Sequence, residues 1–408
     1  MVRLFLLLLD EITDEKEDMQ NNVHKYYIAS FCWQFCLILA ISLLYYRDLG
    51  LSYTQIGFLW IAMGMASILV EIPAGVFCDF FGRKRTVAIG SLLTAAALLL
   101  IGISHSYWMV MVGCAVWGAS GAFMSGAVDA LIYDSLKAIG NEAGFLKIRS
   151  RLSVVQAVAM MSGSILGGYL YQFDRQWPWL AFSLAQLMAA GCVALMKEPY
   201  SAEKSSGFHS QLHHIKEACS FAWRTTSVRW LILFASLVFL PTFAFMNLVR
   251  QPYLVEIGYK VVDLGYIFAL VACISGFGGA LSARVEGLLG PAKSLVLMLV
   301  GPLVLYAASG LIRDGIGLIT VVLLYCCFNF QDAVISAYLN RNIESGSRAT
   351  VLSLQSFVVR IVQLSFIALA GDIIDRFSIS VFLFCLSGFL CAVSIPLVLL
   401  RGYWRPSI

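Results

Sequence analysis

Four ionisable residues lie inside long apolar runs of this chain: Glu71, Asp129, Asp332 and Arg360. Charged groups inside a membrane are costly, and they face the interior or a water-filled cavity. Burial disfavours the charged form of a carboxylate. A carboxylate that can be charged or neutral is what carrying a proton requires. Glu71 therefore has two readings: a proton carrier, or half of a permanent salt bridge. Arg360 is the twelfth residue of the run 349–372, about 17 Å from either end of a helix. A central Arg costs about 2.5–3.5 kcal/mol to insert, so it pairs with an acid, contacts an anionic or polar substrate, or takes part in coupling. Asp129 and Asp332 lie near the ends of their runs, and Arg149, Arg151 and Arg348 open the following ones. Both are candidates for a structural pair or a gate before they are substrate ligands.

Those residues need elements that hold them. The chain has 408 residues, 60% hydrophobic and 13% charged, with a mean hydropathy of +0.82. Soluble domains carry nearer a quarter charged residues, so this is an integral membrane protein. About 20 apolar residues cross a bilayer as a helix. Twelve such spans are expected: 26–46, 55–77, 86–104, 107–130, 151–172, 177–196, 228–249, 262–283, 293–312, 316–336, 349–372 and 377–400. Alternating apolar-polar strands are absent, which argues against a barrel. With the N-terminus inside, cytoplasmic segments hold 21 of the 28 Lys and Arg, the external loops hold 6, and Arg360 is the last. Arg250 is counted among the external six, just past the seventh span. The eleven cysteines form no CxxC pair, and no disulfide framework is expected.

Residues 1–25 read as a cytoplasmic tail, with Met19 as an alternative start. A six-helix bundle over 26–197 precedes a cytoplasmic linker, 198–227, that contains the amphipathic stretch "FHSQLHHIKEACSFAW". His209 and His213 are helical neighbours there, but a solvated or membrane-surface face accounts for them, and no metal site is assigned. A second bundle covers 228–400, and 401–408 is a cytoplasmic tail. The halves repeat: "GLSYTQIG" at 50–57 matches "GYKVVDLG" at 258–265, and "FGRKR" at 81–85 matches "LGPAK" at 289–293, both offset by 208. Internal repeats of this kind mark transporters.

The stretch "GVFCDFFGRKR", 75–85, resembles motif A of the major facilitator superfamily, G-x-x-x-D-x-x-G-R-[RK], with Gly75, Asp79, Gly82, Arg83 and Lys84 matching. Extended back to Glu71 and Pro73, it is similar to the variant found in one branch of tetracycline exporters. The resemblance implies an all-α integral membrane fold of twelve transmembrane helices in two six-helix bundles. It also implies a cytoplasmic latch, in which Asp79 approaches the start of the eleventh helix. Arg83 would meet an acid at the end of the fourth, Asp134 or Asp129. The second copy, "GLLGPAK", lacks the Asp and Arg, so a C-terminal latch is expected to be degenerate. In "AMMSGSILGG", 159–168, Gly163, Gly167 and Gly168 fit the family's antiporter motif, but Ala159 and Ser164 replace its first Gly and its Pro. Small residues for close helix packing explain the same stretch equally well. Cys114 stands where motif B has its Arg, which puts standard proton coupling in doubt.

In that fold helices 1, 4, 7 and 10 line the cavity, and 2, 5, 8 and 11 flank the interface between halves. Glu71 and Arg360 would then share one site in part of the cycle. Cavity candidates are Gln34, Trp33, Trp117, Asn247, Asn329, Gln331 and Gln363. The expected activity is proton-coupled export of small amphiphilic compounds by alternating access. The alternatives are proton-coupled uptake of a nutrient or metal-chelating metabolite and, in another class, a non-transporting membrane sensor. No nucleotide-binding, HExxH or GxSxG motif is present, so no cofactor, pump or enzyme is assigned. The expected partners are a small molecule, protons and the lipid bilayer, with no nucleic acid. The protein is expected to be a monomer in the inner membrane, multi-pass, with both termini cytoplasmic.

Overall fold

The computed structural model describes residues 20–198, 225–343 and 348–399, and these are helical with short connections. The N-terminal tail through residue 19 (including the alternative start Met19), most of the linker with His209 and His213, and the C-terminal tail lie outside the described residues. In chain order the helices are α1 (20–34), α2 (Ser42–Asp48), α3 (Tyr53–Phe81), α4 (Arg83–Gly102), α5 (Tyr107–Met124), α6 (Ala127–Ala138), α7 (Phe145–Phe173) and α8 (Trp177–Ala194). They continue as α9 (Thr226–Ala244), a π-helical turn at Phe245–Val249, α10 (Arg250–Glu256), α11 (Val261–Leu311), α12 (Gly317–Asn342), α13 (Arg348–Arg376) and α14 (Ile379–Leu399). Nine helical segments among the described residues are long and apolar enough to cross a membrane. Shorter apolar helices at Val261–Ile274 and Ile379–Ser394, and the broken stretch 20–48, occupy the three expected spans that remain. The protein is an all-α, multi-pass membrane protein.

Two breaks have a local cause. α11 is interrupted at Gly290, whose φ of 72° and ψ of 169° no helix contains. The fourth span divides at Gly126, φ 74°, which starts α6 and places Asp129 in its first turn, where a carboxylate is favoured. The backbone also carries the sequence repeat. Gly82 and Gly290 share one conformation (φ 88°, ψ 162° and φ 72°, ψ 169°), and Gly50 and Gly258 are both left-handed at 79° and 101°. Both pairs are 208 residues apart, the offset of the repeated sequence.

The chain clusters into two units. Described residues up to Leu39 join Ala62 onward as the first; Ala40–Ile61 join the residues from 225 as the second. The first unit packs α4 against α8 and α5. Trp179 of α8 is fully buried, and a side chain on Gly102 would sit 2.8 Å from its Cβ. Gly163 and Gly167 of α7 press on backbone: a Cβ would lie 2.8 Å from Cys36 N and 1.8 Å from the Leu37 carbonyl oxygen. Close packing thus accounts for two glycines of "AMMSGSILGG". In the second unit α11 packs on α12 and α14, and α9 on α13. The segment 40–61 joins it by equally close contact: a Cβ on Gly57 would lie 2.8 Å from Ala368 Cα, and one on Gly371 would lie 2.4 Å from the Tyr53 carbonyl oxygen. The segment 40–61 thus packs with the second unit, although it precedes most of the first in sequence.

Candidate functional site

The turn between α3 and α4 is built on Gly82, since a left-handed φ suits a residue without Cβ. It leaves the first N–H groups of α4 without helical partners. Glu198 supplies them: its carboxylate accepts from Arg83 N at 2.8 Å and from Lys84 N at 3.1 Å. The Arg83 side chain turns the other way. Its Nη1 donates to the Ala130 carbonyl at 2.9 Å and pairs with the Asp134 carboxylate, both on α6. Of the two acids considered for Arg83, the geometry selects Asp134. Asp129 instead accepts from Arg149 Nη1 at 2.8 Å and from the Tyr26 hydroxyl at 3.4 Å. Asp79 is exposed on the last turn of α3, and Gly75 lies one turn earlier on the same helix.

The equivalent corner of the second half is not bare. Glu286 accepts from the Tyr338 hydroxyl at 3.1 Å and lies 4.0 Å from Arg341 Nη1. In the first half the base belongs to the turn after the second pass and the acid to the end of the fourth. In the second half the acid stands just before the Gly290 turn and the base at the end of the tenth pass. The sign is exchanged, which a search for a second Asp and Arg at motif spacing does not detect.

Three of the four intramembrane charges are exposed: Glu71 on α3, Asp332 on α12 and Arg360 on α13. Neither Glu71 nor Asp332 has a hydrogen bond or ion pair among the described residues. Arg348, one of the partners expected for Asp332, has its side chain outside the described ones, and Glu71 is open rather than enclosed.

Several cavity candidates are committed to packing. Trp33 Nε1 donates to Ser91 Oγ at 2.9 Å, and Trp117 meets Trp179 edge-on, 6.4 Å between ring centres. Gln331 is 1% exposed, with its amide donating to the Met298 carbonyl at 2.9 Å, so it bridges α11 and α12 instead of facing a lumen. The Gln363 amide donates to the Phe239 carbonyl at 3.4 Å. Asn247 donates to the Phe243 carbonyl, four residues back, at 2.8 Å, at the π turn. Gln34, the last residue of α1, and Asn329 stay half-buried, and Asn329 lines an otherwise largely apolar cavity of about 590 Å³ in the second unit with Met298, Gly301, Cys326, Cys327 and Phe330.

The opposite end of the helices holds residues that sequence reasoning passed over. Asp375 closes the start of α3, and Gln251 Oε1 accepts from Leu43 N at 2.8 Å. Arg250 is the clearest case. The seventh span runs on to Glu256, so this cation lies inside the helical bundle, half-buried, and not in an outer loop. An apolar run ending at Val249 hid it, because Arg250, Gln251 and Pro252 read as the close of a span.

Comparison with known proteins adds to this geometry. Residues 26–366 match the family described as Major Facilitator Superfamily. YxaM of Bacillus subtilis (strain 168), described as an uncharacterized MFS-type transporter, is 23% identical over 366 residues, 88% of this chain and 90% of that one. Multidrug resistance protein 2 of the same organism is 26% identical over 187 residues, 45% of this chain and 44% of its own. Quinolone resistance protein NorA of Staphylococcus aureus (strain MRSA252) is 22% identical over 173 residues, 42% of this chain and 43% of its own. Less than half the length of the two resistance proteins is thus matched. The crystal structure of the nucleoside transporter NupG aligns with a TM-score of 0.81 over 94% of this chain and all of that one, at 12% identity. At that identity the likeness is one of fold.

Proposed function

Because this chain belongs to the Major Facilitator Superfamily, a family of transporters, we propose that it exports small amphiphilic compounds across the cytoplasmic membrane in exchange for protons, by alternating access. The observation that carries the reading is Glu71. It is a carboxylate nearly three turns from the end of the membrane-spanning helix Tyr53–Phe81, exposed, with no hydrogen bond or ion pair among the described residues. With no fixed cation beside it among the described residues, the permanent-salt-bridge reading loses its support and the proton-carrier reading is left. Asp332, exposed on α12, is a second candidate proton acceptor. The partial matches to resistance proteins support efflux, and the Lys and Arg distribution supports cytoplasmic termini.

The experiment is untargeted metabolite profiling of cells with and without the protein, repeated with Glu71→Gln. Export predicts compounds that disappear from the medium and accumulate in the cytosol when the protein is absent. Glu71→Gln should lose pH-driven movement of those compounds while gradient-free exchange continues. Loss of compounds from the cytosol instead would establish uptake, and unchanged pH dependence in Glu71→Gln would remove it from coupling.

A further inference from the structure

The seventh pass departs from α-helix at the π turn Phe245–Val249, directly before Arg250. Such turns concentrate at functional sites because the extra residue re-aims the side chains that follow. Here the residue presented is a cation. The Arg250 guanidinium lies over the ring of Phe268 on α11, Cζ 4.7 Å from its centre. Its Nη1 donates to the Tyr325 hydroxyl on α12. The rings of Phe268 and Tyr325 meet edge to face, 6.4 Å apart at 73°, so the cation has one aromatic corner as its seat.

That seat does not neutralise it. A ring face and a phenol attract a cation, but neither carries a negative charge. Among the described residues no carboxylate pairs with Arg250, and its Nε is buried without a hydrogen-bond partner. With Nη1 taken by Tyr325, the edge formed by Nε and Nη2 remains. That edge is one of the two forks by which a guanidinium holds a carboxylate with parallel hydrogen bonds. A cation oriented by aromatic groups, with no acid paired to it among the described residues, is open to an acid from outside the chain. On α12, Asn329 and Asp332 continue from Tyr325 at helical spacings of four and three, on one face. Asp332 stands about 10 Å along from Tyr325, so the carboxylate end of a molecule is favoured at Arg250 and disfavoured at Asp332.

We propose that Arg250 is a recognition group for the carboxylate of an amphiphilic organic acid, with Phe268 and Tyr325 setting its orientation. The proposal rests on the reading of the protein as a carrier of small amphiphiles and names their class.

Binding to the full-length protein in phosphatidylcholine nanodiscs tests it apart from transport, with 1-naphthoate, 1-naphthamide and 1-naphthyl phosphate as probes and thermal unfolding as readout. Naphthoate should raise the midpoint in a concentration-dependent way, with naphthamide at least tenfold weaker. Arg250→Gln should abolish that preference, and Arg250→Lys should restore only part of it, since an ammonium keeps the charge but not the fork. If Arg250→Gln does not fold, Tyr325→Phe serves: naphthoate should weaken severalfold while naphthamide is unchanged. Equal stabilisation by acid and amide, or a preference that survives in Arg250→Gln, overturns the proposal. Stronger binding of naphthyl phosphate than of naphthoate also overturns it, in favour of a phosphate ligand. Acid-selective binding by a protein that exports nothing upholds Arg250 and sinks the efflux reading instead. Export of neutral or cationic compounds without acid binding does the reverse.

Discussion

Asp375, at the end of α13, closes the first turn of α3 by bonding to Tyr53 and Thr54, more than 300 residues away in sequence. Its Oδ1 accepts from Tyr53 N at 2.9 Å, and its Oδ2 accepts from both Thr54 N and the Thr54 hydroxyl at 2.8 Å. The start of a helix carries unpaired N–H groups and a partial positive charge, and one carboxylate satisfies both. Asp375→Asn should cost about 1 kcal/mol, because the geometry persists without the charge and the site is exposed. Asp375→Ala should cost more and speed hydrogen exchange at residues 53–57. Exchange there that does not change on Asp375→Ala would show the cap to be idle.

Arg83 and Asp134 form an ion pair whose side chains are 30% and 15% exposed. Partial burial lifts it above a surface pair. A double-mutant cycle of Arg83→Ala and Asp134→Ala should give a coupling of about 1 kcal/mol in unfolding. The same cycle between Arg83 and Asp129 should give none, since Asp129 is held by Arg149.

Gly82 and Gly290 share a backbone conformation and differ in surroundings. A Cβ on Gly82 would sit 2.8 Å from Glu198 Oε1, while one on Gly290 meets nothing within 4 Å. Both Gly→Ala changes should cost about 1–3 kcal/mol, because φ of 88° and 72° with ψ of 162° and 169° is a conformation open essentially to glycine alone. Gly82→Ala should cost roughly 1 kcal/mol more, because it displaces the carboxylate that caps α4. In a Glu198→Ala background the two should become equal, as thermal unfolding of the four variants will show.

Orientation is tested by single cysteines placed in the turns after the second, fourth, sixth, eighth and tenth passes, in a background without native cysteines. All should resist an impermeant thiol reagent applied outside intact cells. Labelling of a cysteine beside Gly82 would reverse the assignment.

Hydropathy is local, so the apolar runs and the sequence 75–85 are readable without coordinates. The 208-residue repeat is readable too, and reappears as the matched glycine pairs 50/258 and 82/290. Span ends are less legible, because a span can carry a cation when neighbouring helices supply its partners. That is why Arg250 reads as loop in the sequence and as helix in the structure. Residue type also named Gln331 and Trp33 as cavity candidates, but only packing shows that Gln331 donates to the Met298 carbonyl and Trp33 to Ser91. The same holds for choices between equivalent acids. Asp129 and Asp134 are five residues apart on one helix, and which of them meets Arg83 depends on how α4 and α7 pack on α6. Glu198 and Asp375 carry no sequence signal at all. Each caps a helix more than 100 residues distant, and only the folded chain brings a lone carboxylate to unpaired N–H groups that far away.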